Sequence, residues 1–397
     1  MNTIIIIGSS AAGIAAAGKL RDFDPTATII CITKETTMPY NRCLLADFLS
    51  GHRTREQVHT KGEDFFAAKN IDLRLGSEVT ALDVPAKKIT LRDGQQLTYD
   101  FLVIASGRSA FIPPPLDPTM PGVLPFYDLD HVQSALDYIT QVKARRALIV
   151  GAGITGLECA DGLFRHGIHV TMIERGKQLL GRQIDPEGAA FLQSFLENKG
   201  LCFKLESTID RIEQITKPAS LFPSLRVTLS TNEIIEVDII LAATGGRQNS
   251  GFAQAAGIVC DDHGIVVDES QVTNIPNVYA AGDVCSVINL ASGTRAASTL
   301  WPDAISQGLT VANSIAGLCR PYAGTLNITS TTIFDTTLVT CGDFSALDEL
   351  DTLKKEKPAF YHRFYLQDGV LQGFVMVGNV SNVGQLRKAM LEKVPMI

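Results

Sequence analysis

The stretch that decides the fold is RRALIVGAGITGLECADGLFRHGIHVTMIERG, residues 145–176. It opens with an apolar run typical of a parallel strand buried on both faces. The glycines of Gly151-x-Gly153-x-x-Gly156 follow, and then a helical segment and a second strand. A glycine loop between a strand and a helix presents backbone N–H groups and the positive end of the helix dipole, which suit a pyrophosphate. The stretch predicts a Rossmann-like unit that binds a dinucleotide.

An acidic residue at the end of the second strand predicts which dinucleotide binds. Glu174 lies 18 residues after Gly156. A carboxylate there favours the free 2′-hydroxyl of NAD over the phosphate of NADP. Arg175, its neighbour, favours the phosphate. The pattern therefore predicts NAD(H) and leaves NADP as the less favoured alternative.

A second loop of the same kind occurs near the start of the chain, in TIIIIGSSAAG, residues 3–13. Gly8 is expected to make the tight turn, and Gly13 to let the following helix lie close to the sheet. Ser10 stands where the middle glycine is expected. Because serine is small and donates a hydrogen bond, the change weakens the pattern without excluding a phosphate.

The strand that follows this first loop, ATIICITKE (residues 27–35), ends near a carboxylate. Glu35 lies 22 residues after Gly13, about where an acid is expected to hold an adenosine ribose hydroxyl. Lys34 is beside it, so the sequence leaves open which of the two side chains faces the ribose. Two complete units in one chain predict two adenine dinucleotides.

Composition limits the remaining possibilities. The 397 residues are 45% hydrophobic and carry a formal net charge of -7, which does not favour nucleic-acid binding. The apolar runs are shorter than the roughly 20 residues of a membrane span. Eight scattered cysteines without a C-x-x-C pair predict reduced thiols and a cytoplasmic protein. His166 and His169 are too isolated for a metal site, so no metal is expected.

Each glycine unit is expected to end in a return strand, within residues 99–115 and 236–249. After about residue 322 the sequence changes to alternating strands. We predict an α/β fold with two Rossmann-like dinucleotide-binding domains and a small C-terminal α+β domain. The predicted ranges are 1–113 with 240–322 for the first dinucleotide-binding domain, 114–239 for the second and 323–397 for the C-terminal domain.

The ordered motifs resemble the FAD- and NAD(P)-dependent pyridine nucleotide–disulfide oxidoreductase superfamily, and within it most of all NADH:rubredoxin oxidoreductases and the flavin module of NADH-dependent nitrite reductases. The resemblance covers essentially the whole chain. It implies the glutathione-reductase-like arrangement, with FAD bound by the domain of residues 1–113 and 240–322 and NAD by the domain of residues 114–239. Besides the two glycine loops, it rests on MPYNRCLLADFLSG (38–51), IASG (104–107), NVYAAGD (277–283), LWPDAISQG (300–308) and YHRFYLQDGVLQGFVMVGNV (361–380).

The resemblance implies roles for particular residues. Asp283 would accept hydrogen bonds from the FAD ribityl chain, and Arg42 would lie near the FAD phosphate or the flavin. Glu158 would face the nicotinamide end of NAD, and Trp301 with Pro302 would wall the isoalloxazine ring.

Asp47 departs from the family pattern, because several relatives carry a lysine there, close to the flavin. The complete predicted cofactor-binding set is Gly8, Ser10, Ala11, Ala12, Gly13, Glu35, Arg42, Asp47, Ala105, Ser106, Gly107, Arg108, Gly151, Gly153, Ile154, Thr155, Gly156, Glu158, Glu174, Gly245, Gly282, Asp283, Trp301 and Pro302.

Three functions are compatible with this pattern. The first is an FAD-dependent NADH oxidoreductase that passes electrons to a small redox protein, rubredoxin- or ferredoxin-like, or to a reductase partner. The second is a single-cysteine NADH oxidase, peroxidase or coenzyme A disulfide reductase, with Cys43 as its redox cysteine and Arg42 as the charge that activates it. The third is a non-enzymatic flavin-bound subunit or redox sensor. The chain has no C-x4-C or C-x2-C pair, which excludes glutathione, lipoamide and thioredoxin reductases.

Overall fold

The computed structural model describes residues 2–216, 223–342, 344 and 350–395. The chain divides into two compact units, each assembled from discontinuous segments. Unit 1 combines Met1–Cys43, Glu56–Ser109 and Arg247–Asn327. Unit 2 combines Leu44–Arg55, Ala110–Gly246 and Ile328–Ile397.

Helices and strands alternate along most of the described chain. The helices are α1 (Ala11–Phe23), α2 (Leu45–Leu49), α3 (Glu63–Ala68), α4 (Leu129–Val142), α5 (Ile154–Arg165), α6 (Pro186–Asn198), α7 (Gly251–Ala255), α8 (Trp301–Ile315) and α9 (Val383–Glu392), with short 3-10 helices at Arg42–Leu44 and Glu56–Val58.

The strands are β1 (Thr3–Ile7), β2 (Thr28–Ile32), β3 (Ile71–Arg74), β4 (Val79–Asp83), β5 (Lys88–Leu91), β6 (Gln96–Thr98), β7 (Phe101–Ile104), β8 (Arg108–Ala110), β9 (Val123–Pro125), β10 (Arg146–Val150), β11 (His169–Ile173), β12 (Cys202–Lys204), β13 (Ile209–Ile215), β14 (Ser224–Leu229), β15 (Ile234–Val237), β16 (Ile239–Ala242), β17 (Gly246–Gln248), β18 (Cys260–Asp261), β19 (Gly264–Val266), β20 (Val278–Ala280), β21 (Cys285–Ile288), β22 (Arg295–Ala297), β23 (Thr329–Ile333), β24 (Thr336–Cys341), β25 (Asp351–Lys357), β26 (Phe360–Gln367) and β27 (Val370–Val377).

Unit 1 is built around a parallel sheet with strand order β20-β7-β1-β2-β3. Its central strand β1 pairs in parallel with β2 and β7, so that Ile5 lies opposite Ile30 and Leu102. These three side chains are almost fully buried, because both faces of the sheet are covered. Two smaller sheets, of order β4-β5-β6 and β18-β19-β21-β22, complete the unit. The first glycine loop connects β1 to α1.

Unit 2 contains a second parallel sheet, of order β12-β11-β10-β16-β9, with the second glycine loop between β10 and α5. A three-stranded antiparallel sheet, β13-β14-β15, accompanies it. The two parallel sheets confirm the predicted α/β class with two Rossmann-like elements. The three predicted domain ranges, with the cofactor assigned to each, stay a prediction.

The C-terminal part of unit 2 is a five-stranded antiparallel sheet of order β23-β24-β27-β26-β25, with α9 packed against β27. The β26–β27 hairpin turns at Asp368 and Gly369, both with left-handed backbone (φ 51° and 76°). An Asp-Gly pair favours this turn because both central residues need positive φ. On one face of this sheet Tyr361 is buried and donates from its hydroxyl to Asp185 Oδ1 (2.8 Å). Asp185 also caps the first turn of α6, so the sheet is bonded to that helix.

No helix within the described residues has the length and apolarity that crossing a membrane requires. The eight cysteines all lie in the described part of the chain, and none forms a disulfide.

Candidate functional site

The predicted site residues fall into two sets, one in each unit. In unit 1 the first loop turns at Gly8, whose φ is +111°. A Cβ atom on Gly8 would lie 2.0 Å from the Ala105 carbonyl oxygen, and one on Gly13 would lie 1.9 Å from the Gly8 carbonyl oxygen. Neither distance is sterically possible, so both positions require glycine. The first glycine loop therefore lies against the turn that follows β7.

Ser10 is the N-cap residue of α1, with extended backbone. Among the described residues its side chain makes no capping hydrogen bond. Ala11 and Ala12 follow it, both buried, and they leave the start of the helix free of bulky side chains. The serine in place of the expected glycine is therefore compatible with backbone N–H groups directed at a phosphate.

The acidic residue after β2 is already paired within unit 1. Arg42 hydrogen-bonds to Glu35 as an ion pair, and its guanidinium lies over the Tyr40 ring at 5.2 Å from the ring centroid. Lys34 points elsewhere and donates to Ser109 Oγ (2.8 Å). Of the two neighbouring side chains, Glu35 is the one held beside a second predicted site residue.

The turn after β7 is fixed by hydrogen bonds to Asn249. Ser106 Oγ donates to the Asn249 carbonyl (2.8 Å), and the Asn249 side-chain amide donates to the Ser106 carbonyl (2.8 Å). Gly107 has a φ of +61°, which favours glycine. Serine at position 106 thus serves to hold this turn to the segment that re-enters unit 1.

Asp283 lies beside the cations of this set. Removal from water raises the pKa of Asp283, and the guanidinium groups of Arg108 and Arg42 oppose that rise. Gly282, immediately before it, has a φ of +82°, and a Cβ there would come within 3.1 Å of Ala12 Cβ. The second predicted FAD motif therefore meets the first glycine loop, and an acid and two cations lie close together in this unit.

Two residues of this set were missed by sequence reasoning. The Gln307 side-chain oxygen accepts from the Gly282 N–H at 2.7 Å, fully buried. Gly308 lies so close to α1 that a Cβ would be 2.2 Å from the Ala12 carbonyl oxygen. Both residues belong to the LWPDAISQG segment (300–308), so the family motif already included them. Trp301 and Pro302 begin the same helix, α8, with Trp301 partly buried and Pro302 exposed.

In the second loop, which belongs to unit 2, the three glycines have different structural roles. Gly151 has a φ of +105°, and a Cβ on Gly156 would lie 2.0 Å from the Gly151 carbonyl oxygen. A Cβ on Gly153, in contrast, would meet nothing within 4 Å. The loop is therefore forced to fold by its outer glycines, while the middle one opens onto free space into which a pyrophosphate fits. Ile154 and Thr155 form the start of α5, and Gly245 (φ +82°) lies in the turn after β16.

Glu174 reaches back to this loop. One of its carboxylate oxygens accepts from the Ala152 N–H (3.0 Å), and the other accepts from the Gly176 N–H (2.9 Å). The carboxylate is thereby oriented beside the middle of the glycine loop. This is the location in which an acid can receive a ribose hydroxyl.

Glu158 lies one turn into α5 and receives a hydrogen bond from another part of unit 2. Thr331 Oγ1, on β23, donates to Glu158 Oε1 at 2.5 Å. Removal from water raises the pKa of Glu158, the Thr331 hydrogen bond opposes the rise, and the charge of Asp47 adds to it. Asp47 itself is half-exposed and pairs with Arg53 (3.2 Å). Thr331 had no signal in the sequence, because only folding brings β23 beside α5.

Cys43 is exposed in the 3-10 helix Arg42–Leu44, where its N–H donates to Asn41 Oδ1 (2.9 Å). Its neighbour Arg42, the cation expected to activate it, is paired with Glu35. The Arg42 guanidinium is therefore engaged by the Glu35 carboxylate. The redox role of Cys43 stays a prediction.

The residues of both sets fit the cofactors that the sequence predicts. In unit 1, Gly8 to Gly13, Glu35, Arg42 and Asp283 combine a glycine loop at a helix N-terminus with side chains of both charges. In unit 2, the space over Gly153 and the oriented Glu174 carboxylate fit an adenine dinucleotide without a 2′-phosphate.

Comparison with known proteins gives consistent matches. The profile of the family described as pyridine nucleotide-disulphide oxidoreductase matches residues 2–308. An NADH oxidase of Methanocaldococcus jannaschii is 32% identical over 332 residues, which cover 81% of this chain and 72% of that protein. The ferredoxin–NAD(+) reductase component of the 3-phenylpropionate/cinnamic acid dioxygenase of Photorhabdus laumondii is 33% identical over 323 residues, covering 81% and 79%.

Solved structures agree in fold. NADH:rubredoxin oxidoreductase from Clostridium acetobutylicum matches with a TM-score of 0.81 at 22% identity, over 99% of this chain and 96% of that one. At this identity the likeness extends to the fold alone.

Proposed function

This chain belongs to the pyridine nucleotide-disulphide oxidoreductase family, and on that basis we propose that it passes electrons from NADH, through FAD, to a small redox protein. It is an FAD-dependent NAD(P)H oxidoreductase whose cofactors are FAD and NAD(H). The small acceptor, rubredoxin- or ferredoxin-like, or a reductase partner, is the part that we add. Eight cysteines without a disulfide are typical of a protein in a reducing compartment, and we therefore propose that the protein is cytoplasmic.

One observation carries the proposal. The chain has two complete strand–glycine loop–helix units, each in its own parallel sheet, but no C-x4-C or C-x2-C pair to relay electrons to a disulfide. One relative, 33% identical to the chain, is a ferredoxin–NAD(+) reductase component, which is the kind of enzyme that we propose. An acceptor that takes electrons without a protein disulfide accounts for both facts.

The residues of the chain bind and orient. The N–H groups at the start of α1 and α5 would hold the two pyrophosphates, and Glu174 would receive the adenosine ribose of NADH. Asp283, which lies beside Arg42 and Arg108, would accept hydrogen bonds from the ribityl hydroxyls of FAD. When bound, FAD supplies the redox chemistry, since it accepts an electron pair and releases electrons singly.

A second candidate function has a specific observation in its favour. Cys43 is exposed, and an NADH oxidase is 32% identical to the chain. In that case oxygen, a peroxide or a disulfide would be the acceptor, and the Cys43 thiol would react with it. Pairing of Arg42 with Glu35 favours the first function, because it leaves the guanidinium engaged by an acid rather than by a thiolate.

Anaerobic addition of NADH to the FAD-loaded protein tests the proposal. We expect the visible flavin bands to bleach with NADH and far less with NADPH, and a rubredoxin or ferredoxin added afterwards to become reduced. Cys43→Ser should leave both steps unchanged. If bound flavin is bleached by neither nucleotide, the proposal is wrong. If Cys43→Ser abolishes turnover, or removes a long-wavelength charge-transfer band that appears when the wild-type protein is reduced, the second function replaces the first.

A further inference from the structure

The C-terminal sheet reaches the first turns of α5, the helix that starts at the second glycine loop. Thr331, on its edge strand β23, donates from Oγ1 to Glu158 Oε1 at 2.5 Å. Thr331 belongs to the part of the chain that follows the dinucleotide units. Its hydroxyl nevertheless bonds to Glu158, the first acidic residue of α5 after the second glycine loop.

The hairpin that carries Thr331 is fixed to α5 at a second place, about one turn further along. The Phe334 N–H donates to Asp161 Oδ2 (3.2 Å), and Arg165 connects Asp161 (3.1 Å) to Asp335 (3.4 Å). The rings of Phe334 and Phe164 lie 5.1 Å apart, with Phe334 buried. Since the hairpin contacts α5 at two places, at Thr331 and just after β23, the Thr331 hydroxyl has a defined position relative to Glu158.

The electrostatic surroundings of Glu158 come from three elements. From α2, Asp47 faces it with a negative charge that Arg53 partly offsets, and from β23 Thr331 donates its hydroxyl. Its own helix α5 carries Asp161, which Arg165 neutralises. Burial and Asp47 thus favour the neutral carboxyl, and the hydroxyl favours the ionised one. The pKa of Glu158 is raised overall, chiefly by burial, and the Thr331 hydroxyl is the contact that favours the ionised carboxylate.

A carboxylate distinguishes the two states of a nicotinamide ring, because the oxidised ring is a cation and the reduced ring is neutral. We infer that Thr331 is a positioning residue that keeps Glu158 ionised and directed at the nicotinamide, so that the C-terminal sheet tunes the preference of the site for NAD+. This inference rests on the proposed function, in which Glu158 faces the ring.

Equilibrium binding of NAD+ to the FAD-loaded protein, measured by calorimetry from pH 5 to 9, tests it. NAD+ affinity should fall on acidification, as Glu158 takes up a proton. In Thr331→Val, which keeps the shape and loses the hydroxyl, the pKa of Glu158 rises and the fall should move to higher pH by about one unit. Between the two midpoints the variant should therefore bind NAD+ several-fold to about tenfold more weakly.

Three controls separate the inference from a general effect on folding. ADP-ribose lacks the ring, so its binding should show neither the fall nor the shift. Thr331→Ser keeps the hydroxyl and should restore the wild-type profile. Thr332→Val removes the neighbouring hydroxyl, which contacts Thr337 Oγ1 (3.3 Å) instead, and should leave the profile unchanged.

The outcomes are distinguishable from failure of the proposed function. If NADH bleaches the flavin and Glu158→Gln removes the pH dependence of NAD+ binding, but Thr331→Val does not shift it, the inference about Thr331 is wrong and the proposed function stands. If the wild-type protein binds NAD+ and ADP-ribose with the same pH dependence, Glu158 does not face the ring, and both the inference and that role fall.

Discussion

Asp47 shows how one side chain changes the charge around a site. The family resemblance predicts a lysine at this position, near the flavin, and an acid stands there instead. In the structure Asp47 pairs with Arg53 and raises the pKa of Glu158. A lysine would have the opposite effect and would keep Glu158 ionised by its charge alone. The Thr331 hydrogen bond is therefore a substitute for part of what a cation would supply.

At the same scale, Asp47→Asn should act on Glu158 in the direction opposite to Thr331→Val. Without the neighbouring negative charge the pKa of Glu158 falls, so the loss of NAD+ affinity on acidification should move to lower pH. Because Asp47 is half-exposed, the shift should be modest, on the order of 0.5 pH unit. The same calorimetric series measures it. A shift upward, or none, would mean that the two carboxylates do not interact.

At the scale of an element, the strand–loop–helix unit assigns different physical tasks to glycines that look equivalent in the sequence. Gly156 is required by its contact with the Gly151 carbonyl, which allows α5 to pack close to the loop. Gly153 is under no such constraint and faces open space. Folding therefore explains the outer glycines, and the role of the middle one in binding a pyrophosphate stays a prediction. In the first unit a serine, Ser10, stands at the corresponding position, as the N-cap of α1.

This difference predicts that two similar substitutions have different effects. Gly156→Ala places a methyl group against backbone and should lower the free energy of unfolding by about 1–3 kcal/mol, measured by denaturant unfolding. Gly153→Ala should leave that free energy nearly unchanged. Its methyl group would stand in the open space and keep the pyrophosphate from the backbone N–H groups, so NADH binding should weaken roughly tenfold to hundredfold, about the cost of one charge-assisted hydrogen bond. If Gly153→Ala destabilises the fold and leaves NADH affinity intact, the space over Gly153 is not the pyrophosphate site.

At the scale of the whole molecule, the two predicted cofactor sites belong to different compact units. Unit 1 contains the first glycine loop, the Ser106 turn and Asp283, and unit 2 contains the second loop with Glu174 and Glu158. Since each glycine loop lies within one unit, we expect each cofactor to order mainly the backbone of the unit that contains its loop.

Hydrogen exchange measured by mass spectrometry can test this separation. Removing FAD should increase exchange around residues 8–13 and 282–283 and leave residues 151–156 unchanged. Adding NAD+ to the FAD-loaded protein should slow exchange around 151–156 and in the first turn of α5, where bound N–H groups are protected. Protection of 8–13 by NAD+ in the FAD-free protein would contradict the assignment of cofactors to loops.

The sequence alone determined the fold class and the two loops, because both depend on local patterns. A β-branched strand, glycines at fixed spacing and a helix of small residues are contiguous in the chain, and their steric requirements are local. The Asp-Gly turn of the C-terminal hairpin is predictable for the same reason. Glu174 could also be found this way, because the length of one strand–helix–strand unit fixes its distance from the loop.

Only the tertiary structure decided which partners these residues have. Thr331 meets Glu158, Arg42 is taken by Glu35, and Gln307 holds the Gly282 N–H. The first of these pairs is separated by 173 residues and the last by 25. No periodicity links such positions, since their contact depends on how sheets and helices pack after they form. The sequence therefore predicts where the cofactors bind, and packing decides which charges and hydrogen bonds surround those positions.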